Sequence, residues 1–432
     1  MPYDHIVRLI IACSLLTTLT ALTSCEAREK SAVAETPAAP AAPTPPAPPT
    51  ERPDTPRPAL LLTAKKSPAL TPLHVTHGGD LRVMDRIIPP TTSPVVSAYD
   101  GSSVCVAYAE DADGVKTTHV LLYDLDRPGA EPRAAQAPYN TPHSAFVDGQ
   151  TCVLGGEGAS VQRVDFASTP ASVEQLESWP SSRTDWNLDY KAVDFFVDTG
   201  DTLIAVDDMV MPFFAFVYDW TSTGRSRSLS NTSRVVQLPD GPNQSYQEGI
   251  FTGAHVALMY RFSHRAGSGQ GIQIHDPKLP LTMTEWEEKG VAIPPLLLVE
   301  SVDRRRRKDT DPTRGVRLLA GDERTRLRGL ASLGDTLFIG AGTRGILGVE
   351  LPRELPEEPD QGPELSPELF PMGANVLDLT NARGQLFALL GSGSQREVAR
   401  LSWDPAARAL TVAARSSVPD GTTGFVTAFL PR

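Results

Sequence analysis

The chain has 432 residues, 40 Lys and Arg against 52 Asp and Glu, and a formal net charge of -12. An acidic balance of that size argues against a general nucleic-acid binder, which presents a basic face. The length exceeds an average domain, but all-β proteins often run long as one unit.

The N-terminus reads as an export signal. Arg8 precedes an apolar run from Leu9 to Leu22, and Leu22-Thr23-Ser24-Cys25 closes it. A basic start, a short apolar core and small residues before a cleavage point make up a secretory signal. The run is too short and too rich in Thr for a membrane span, which takes about 20 apolar residues. Its Leu-Thr-Ser-Cys ending resembles the bacterial lipoprotein signal. That resemblance implies cleavage before Cys25, acylation of Cys25 with three chains, and a lipid-anchored protein of the cell envelope, with the outer membrane as the expected location. One acyl chain attaches a protein reversibly, whereas two or more anchor it stably. Residues 1–24 are thus the expected signal peptide, and 25–58 the lipidated Cys25 with its linker. From Ser31 to Pro58 the linker is almost all Ala, Pro and Thr. As polyproline II, at ~3.1 Å per residue, it reaches roughly 85 Å.

Residues 59–432 have a globular composition and a recurring pattern. A Gly or Asp-Gly turn leads into an apolar strand at Asp100-Gly101, Asp148-Gly149, Gly200-Asp201, Gly253, Gly334-Asp335 and Gly384. A short apolar segment precedes each turn, so each pair reads as a hairpin. An alternating strand ending in an acid follows, as in Val120 to Asp124, Val161 to Asp165, Phe216 to Asp219 and Ile272 to Asp276. These acids are expected at turns, where Asp side chains accept nearby backbone amides. Leu81 to Asp85 reads as a further third strand that lacks a complete hairpin, and Gly424 to Leu430 as a strand without followers. The interval between His255 and Thr336 is wide and reads as an insertion, carrying the basic run Arg304 to Lys308.

Three or four strands per repeat, spaced roughly 40 to 55 residues apart, predict an all-β fold, a β-propeller. Pairing of the N- and C-terminal strands would close it, giving seven blades, with six as the alternative and a pair of β-sandwiches as the rival architecture. The pattern resembles secreted bacterial β-propellers at the level of architecture only.

Cys105 and Cys152 are the two cysteines left in the globular part. An oxidising envelope permits a disulfide between them; two buried free thiols are the other reading. The propeller reading gathers unusual loops on one face: Tyr139 and His143, then Trp186, Asp189 and Tyr190, then Asp208, and Tyr246 with Glu248. Aromatic, amide and acidic groups on one rigid face suit ligand binding; locally packed, solvated loops are the alternative. The basic run could touch anionic lipid, polysaccharide or a protein partner.

Catalytic signatures are thin. There is no Gly-x-Ser-x-Gly elbow, no phosphate-binding Gly loop and no His-Glu-x-x-His. His74 and His77 would point to opposite faces of a strand, and no carboxylate is tied by spacing to His255, His264 or His275. No catalytic residue, metal or cofactor is expected. The leading functional expectation is a membrane-anchored, non-enzymatic binding or scaffolding module with an envelope protein or polysaccharide as partner and no nucleic acid. The alternative is a propeller hydrolase or lactonase with a metal or carboxylate site at the channel mouth; a purely structural surface protein is the third reading.

Overall fold

A computed structural model describes residues 57–429 apart from 65–66, 139–140, 159, 177–191, 208–213, 224–225, 239–243, 265–266, 278–296, 303–315, 318–325, 356–364 and 366. The chain begins with β1 (Leu60–Ala64), β2 (Ser67–Val75) and β3 (Leu81–Val83). The second blade holds β4 (Val96–Tyr99), β5 (Ser103–Ala112), β6 (Val115–Asp124) and β7 (Arg133–Pro138). The third holds β8 (Pro142–Asp148), β9 (Thr151–Gly156), β10 (Ser160–Asp165) and β11 (Ser172–Leu176), and the fourth β12 (Val193–Asp198), β13 (Thr202–Asp207), β14 (Phe214–Thr223) and β15 (Ser226–Gln237). In the fifth are β16 (Gln244–Phe251), β17 (Val256–His264), β18 (Gly267–His275), β19 (Leu297–Val302) and β20 (Val316–Arg317). The sixth has β21 (Leu330–Leu333), β22 (Thr336–Gly340), β23 (Ile346–Glu350) and β24 (Glu368–Phe370). The seventh has β25 (Asn375–Ala382), β26 (Gln385–Ser392), β27 (Gln395–Asp404) and β28 (Ala409–Val418), and β29 (Thr422–Phe425) and β30 (Thr427–Ala428) end the chain.

These strands form seven sheets. The inner strands β4, β8, β12, β16, β21, β25 and β29 touch one another in succession around a central channel, and β30, which follows β29, touches β4 to complete the circle. The protein is therefore a seven-bladed β-propeller. Its first blade is shared between the two ends of the chain, in the order β29-β1-β2-β3. β29 pairs antiparallel with β1, matching Leu62 to Phe425 and Thr63 to Gly424. β30 then crosses to the second blade and pairs parallel with β4, matching Thr427 to Ala98 and Ala428 to Tyr99.

Two expectations change in detail. Leu81–Val83 is the fourth, outermost strand of the closing blade, not a third strand, and a full hairpin, β1 and β2, does precede it. The insertion after β18 adds β20 as a fifth strand parallel to β19; Arg304 to Lys308 lie outside the described residues.

The core is a set of seven apolar layers, each between two neighbouring blades. Strand alternation produces this, since successive side chains leave opposite faces of a sheet. In β1, Leu60 and Leu62 pack against the seventh blade while Leu61 packs against the second. The inner hairpins turn at Gly101, Gly149, Gly200, Gly253, Gly334 and Gly384, all at positive φ, where glycine carries no Cβ penalty. Acids cap the outer turns: Asp124 Oδ1 accepts Asp126 N at 3.0 Å, Asp165 Oδ1 accepts Ala167 N at 2.8 Å and Asp404 Oδ1 accepts Ala406 N at 2.9 Å. Between blades, Arg227 reaches Asp148 at 3.0 Å and Asp198 at 3.1 Å, with its guanidinium 4.2 Å from the Trp220 ring centroid.

Candidate functional site

Every inner strand runs from one rim of the channel, here called the mouth, to the face bearing the inner hairpin turns. In four of them the pairing register slips near the mouth. The slip skips His143 in β8, Asp194 in β12, Gln247 in β16 and Leu377 in β25. Such bulges release a residue from the ladder and re-aim its side chain.

The released polar residues bond one another or a neighbouring strand. His143 Nδ1 lies 3.2 Å from Asp194 Oδ1, joining the third and fourth blades, with both side chains part-exposed. Gln270 Nε2 donates to Gln247 Oε1 at 3.1 Å, and Gln270 Oε1 accepts Leu327 N at 2.7 Å, so the fifth blade holds the approach to the sixth. The tip of the β5–β6 hairpin adds Lys116, whose Nζ donates to Thr141 Oγ1 at 3.4 Å and lies 3.9 Å from the Glu157 carboxylate. Imidazole, carboxylate, amide and ammonium groups thus line one arc of the mouth.

One residue deeper, side chains reach across to the next inner strand. Ser144 Oγ donates to Val193 O at 2.7 Å. Leu330 N donates to Glu248 Oε1 at 3.0 Å. Phe425 N donates to Asp378 Oδ2 at 2.7 Å, and Leu379 N to Asp378 Oδ1 at 2.8 Å. Glu248 and Asp378 are half-buried. Enclosure raises both carboxyls, since burial disfavours the charged form. Burial, then the charge of Asp378, pushes Glu248 up to about 8 against the pull of the Leu330 and Gly329 amides. Burial pushes Asp378 up to about 6, opposed by the Phe425 and Leu379 amides and by the charge of Arg328.

The sign of the pH dependence follows. Both carboxyls bind protons more tightly folded than unfolded, so this part of the stability is complete below their ordinary values of 4.5 and 3.8 and is lost as pH rises through about 6 and about 8. Glu248→Gln keeps an acceptor for Leu330 N and removes one of the titrations. It is expected to flatten the decline in Tm across that window, as read by thermal melts at several pH values. A variant whose Tm falls as steeply as that of the parent would refute the assignment. His275 acts in the opposite sense: burial lowers it to about 4, so its contribution is lost as pH falls from 6.5 through about 4.

Of the residues singled out by the sequence, His143 and Glu248 reach this part of the channel. Tyr246 is fully buried and its hydroxyl donates to Gln273 Oε1 at 2.7 Å, so it braces the fifth blade instead of facing a ligand. Tyr139, Trp186, Asp189, Tyr190, Asp208 and Cys25 lie outside the described residues. Cys105 and Cys152 are free buried thiols, so the bond between them foreseen as one alternative is not made here. His255 Nε2 is 2.7 Å from Pro352 O and His275 Nε2 is 3.2 Å from Gln273 Oε1, so both are tied into the fold. Sequence reasoning missed Asp194 and Asp378. Their signal was positional: Ser144, Glu248 and Asp378 each stand four residues before the residue that opens the inner hairpin turn, and His143 and Asp194 one residue earlier.

No protein-family model and no curated protein matches the chain. Among solved structures, a protein from Lactobacillus plantarum is 12% identical, with 85% of this chain and 98% of that one covered and a TM-score of 0.53. The Swd1 β-propeller domain of Myceliophteria thermophila is 13% identical over 81% of this chain and 98% of its own, with a TM-score of 0.43. Sqt1 of Saccharomyces cerevisiae is 13% identical over 83% and 85%, with a TM-score of 0.42. The first of these likenesses concerns the fold alone.

Proposed function

We propose that the chain is a lipid-anchored protein of the cell envelope, in the outer membrane, whose propeller is a non-enzymatic binding or scaffolding module for an envelope protein or polysaccharide. The observation that carries the reading is the set of bulges at one level of the inner strands, which delivers His143, Asp194 and Gln247 to a rigid mouth. Loops and released side chains on a stiff scaffold are the usual substance of binding faces. The deeper carboxylates support a binder over a hydrolase, because Glu248 and Asp378 already accept backbone amides of the adjoining strands. Arg57, where the described chain begins, bonds Asp126 at 2.7 Å beyond the end of β6, on the turn face and away from the mouth.

The test is recovery of partners from envelope extracts by the detergent-solubilised full chain, compared with a His143→Ala, Gln247→Ala double variant. The parent is expected to recover a reproducible protein or glycan partner that the variant loses at least tenfold. No reproducible partner, or equal recovery by both, would count against the reading.

The hydrolase reading retains one supporting observation, the His143–Asp194 pair at 3.2 Å, since a carboxylate that orients an imidazole is a common catalytic pairing. Assays on lactone and ester substrates decide it: turnover by the parent that His143→Ala abolishes would favour the enzyme.

A further inference from the structure

β5 and β9 are the second strands of adjoining blades, and both start at the turn face. Ser103 and Thr151 follow equivalent turns, since Asp100 N donates to Ser103 O and Asp148 pairs with Thr151. Cys105 stands two residues beyond the first and Cys152 one residue beyond the second. A one-residue offset sends a strand side chain to the opposite face. Cys105 therefore turns towards the third blade and Cys152 towards the second. Both lie in one apolar layer with Ala98, Val147 and Leu154, and each is 0% exposed.

We propose that Cys105 and Cys152 are a disulfide site that links the second and third blades in the exported protein. The proposal rests on the envelope location for its oxidant. Facing sheets are bridged in the same manner by the inter-sheet disulfide of antibody domains. Each sulfur gives up its proton, an S–S bond forms between them, and two electrons pass to the disulfide of an envelope thiol oxidoreductase. That disulfide is cleaved to a dithiol, which takes up the two protons. Burial raises the Cys152 thiol well above its ordinary value, with Cys105 adding to the shift, so the finished fold holds little thiolate. The exchange belongs to the folding chain, before the layer between the two blades closes.

The full chain purified from the envelope is trapped with an alkylating reagent, denatured and analysed by peptide mass. The expected result is one linked peptide pair carrying Cys105 and Cys152, 2 Da lighter than the two free peptides, with neither cysteine alkylated. In parallel, the full chain is refolded in an oxidising glutathione buffer, where the bond is expected to form and to raise Tm by several degrees over the Cys105→Ala, Cys152→Ala variant. Two alkylated thiols in the refolded chain would overturn the site whatever the location. A bond made on refolding but absent from the native sample supports the site and counts against the envelope reading. Fatty-acid content of the native sample, read separately, reports on the anchor alone.

Discussion

Deletion of residues 421–432 is expected to abolish cooperative folding. β29 supplies the innermost strand of the first blade, and Val426 N continues the contact by donating to Leu61 O at 2.8 Å. β30 covers the free edge of β4, Phe429 N donates to Tyr99 O at 2.6 Å, and the Phe429 ring lies 4.5 Å from that of Phe146. Phe425 packs in the layer between the seventh and first blades, and Val426 in that between the first and second. Removing the segment uncovers the inner edges of β1 and β4, takes Phe425 and Val426 out of two apolar layers and leaves the raised carboxyl of Asp378 without its Phe425 amide. Exposed edges of that kind template aggregation. The combined loss is comparable with the whole stability of a domain, about 5–15 kcal/mol. Size-exclusion chromatography and thermal melts should show aggregates and no single transition. A monomeric product melting near the parent temperature would mean that the ring does not close through its C-terminal strands.

Gly329→Ala should be strongly damaging for a single added methyl group. Gly329 has a φ of +72, and a Cβ built on it would stand 2.1 Å from Leu379 N and 2.5 Å from Asp378 Oδ1. The blades cannot absorb that contact without parting. Movement of this segment also breaks the Leu330 amide from Glu248 and the Leu379 amide from Asp378. The left-handed backbone costs about 1–2 kcal/mol with a Cβ, and overpacking adds about 1–3 kcal/mol. A total of about 4 kcal/mol lowers Tm by about 5 °C for a domain of this length. Gly334→Ala is the matched control: its φ is +59, and nothing lies within 4 Å of the added Cβ. It should show the backbone cost alone. Equal losses in the two variants would contradict the close approach of the sixth and seventh blades at Gly329.

The propeller was legible because its punctuation is local. A glycine turn between two apolar runs recurs once per inner hairpin, and the unpaired segments at the two ends pointed to a shared blade. β2 escaped notice because Pro68 and Pro72 fall within it, and proline removes ladder donors and demotes a strand in any pattern reading. With its hairpin unseen, Leu81–Val83 was counted one strand too far inward. The mouth was only partly legible. A bulge is a property of how two strands register, so nothing in β12 read alone sets Asp194 apart from the acids that cap turns. His143 stood out as a histidine beside unusual loop residues, whereas its partner, fifty-one residues further on, had no such context. Tyr246 misled for the converse reason: an aromatic next to amides resembles a binding loop, but the β16 register turns it into the layer beside the fourth blade.

The tether is tested most directly by metabolic labelling with a fatty-acid analogue in a bacterial host, comparing the full chain with Cys25→Ala. A propeller held at a membrane through Cys25 takes up the label and sediments with the membranes, and the variant loses both. Label retained by Cys25→Ala, or absent from the parent, would contradict the anchor and remove the envelope from the proposed function.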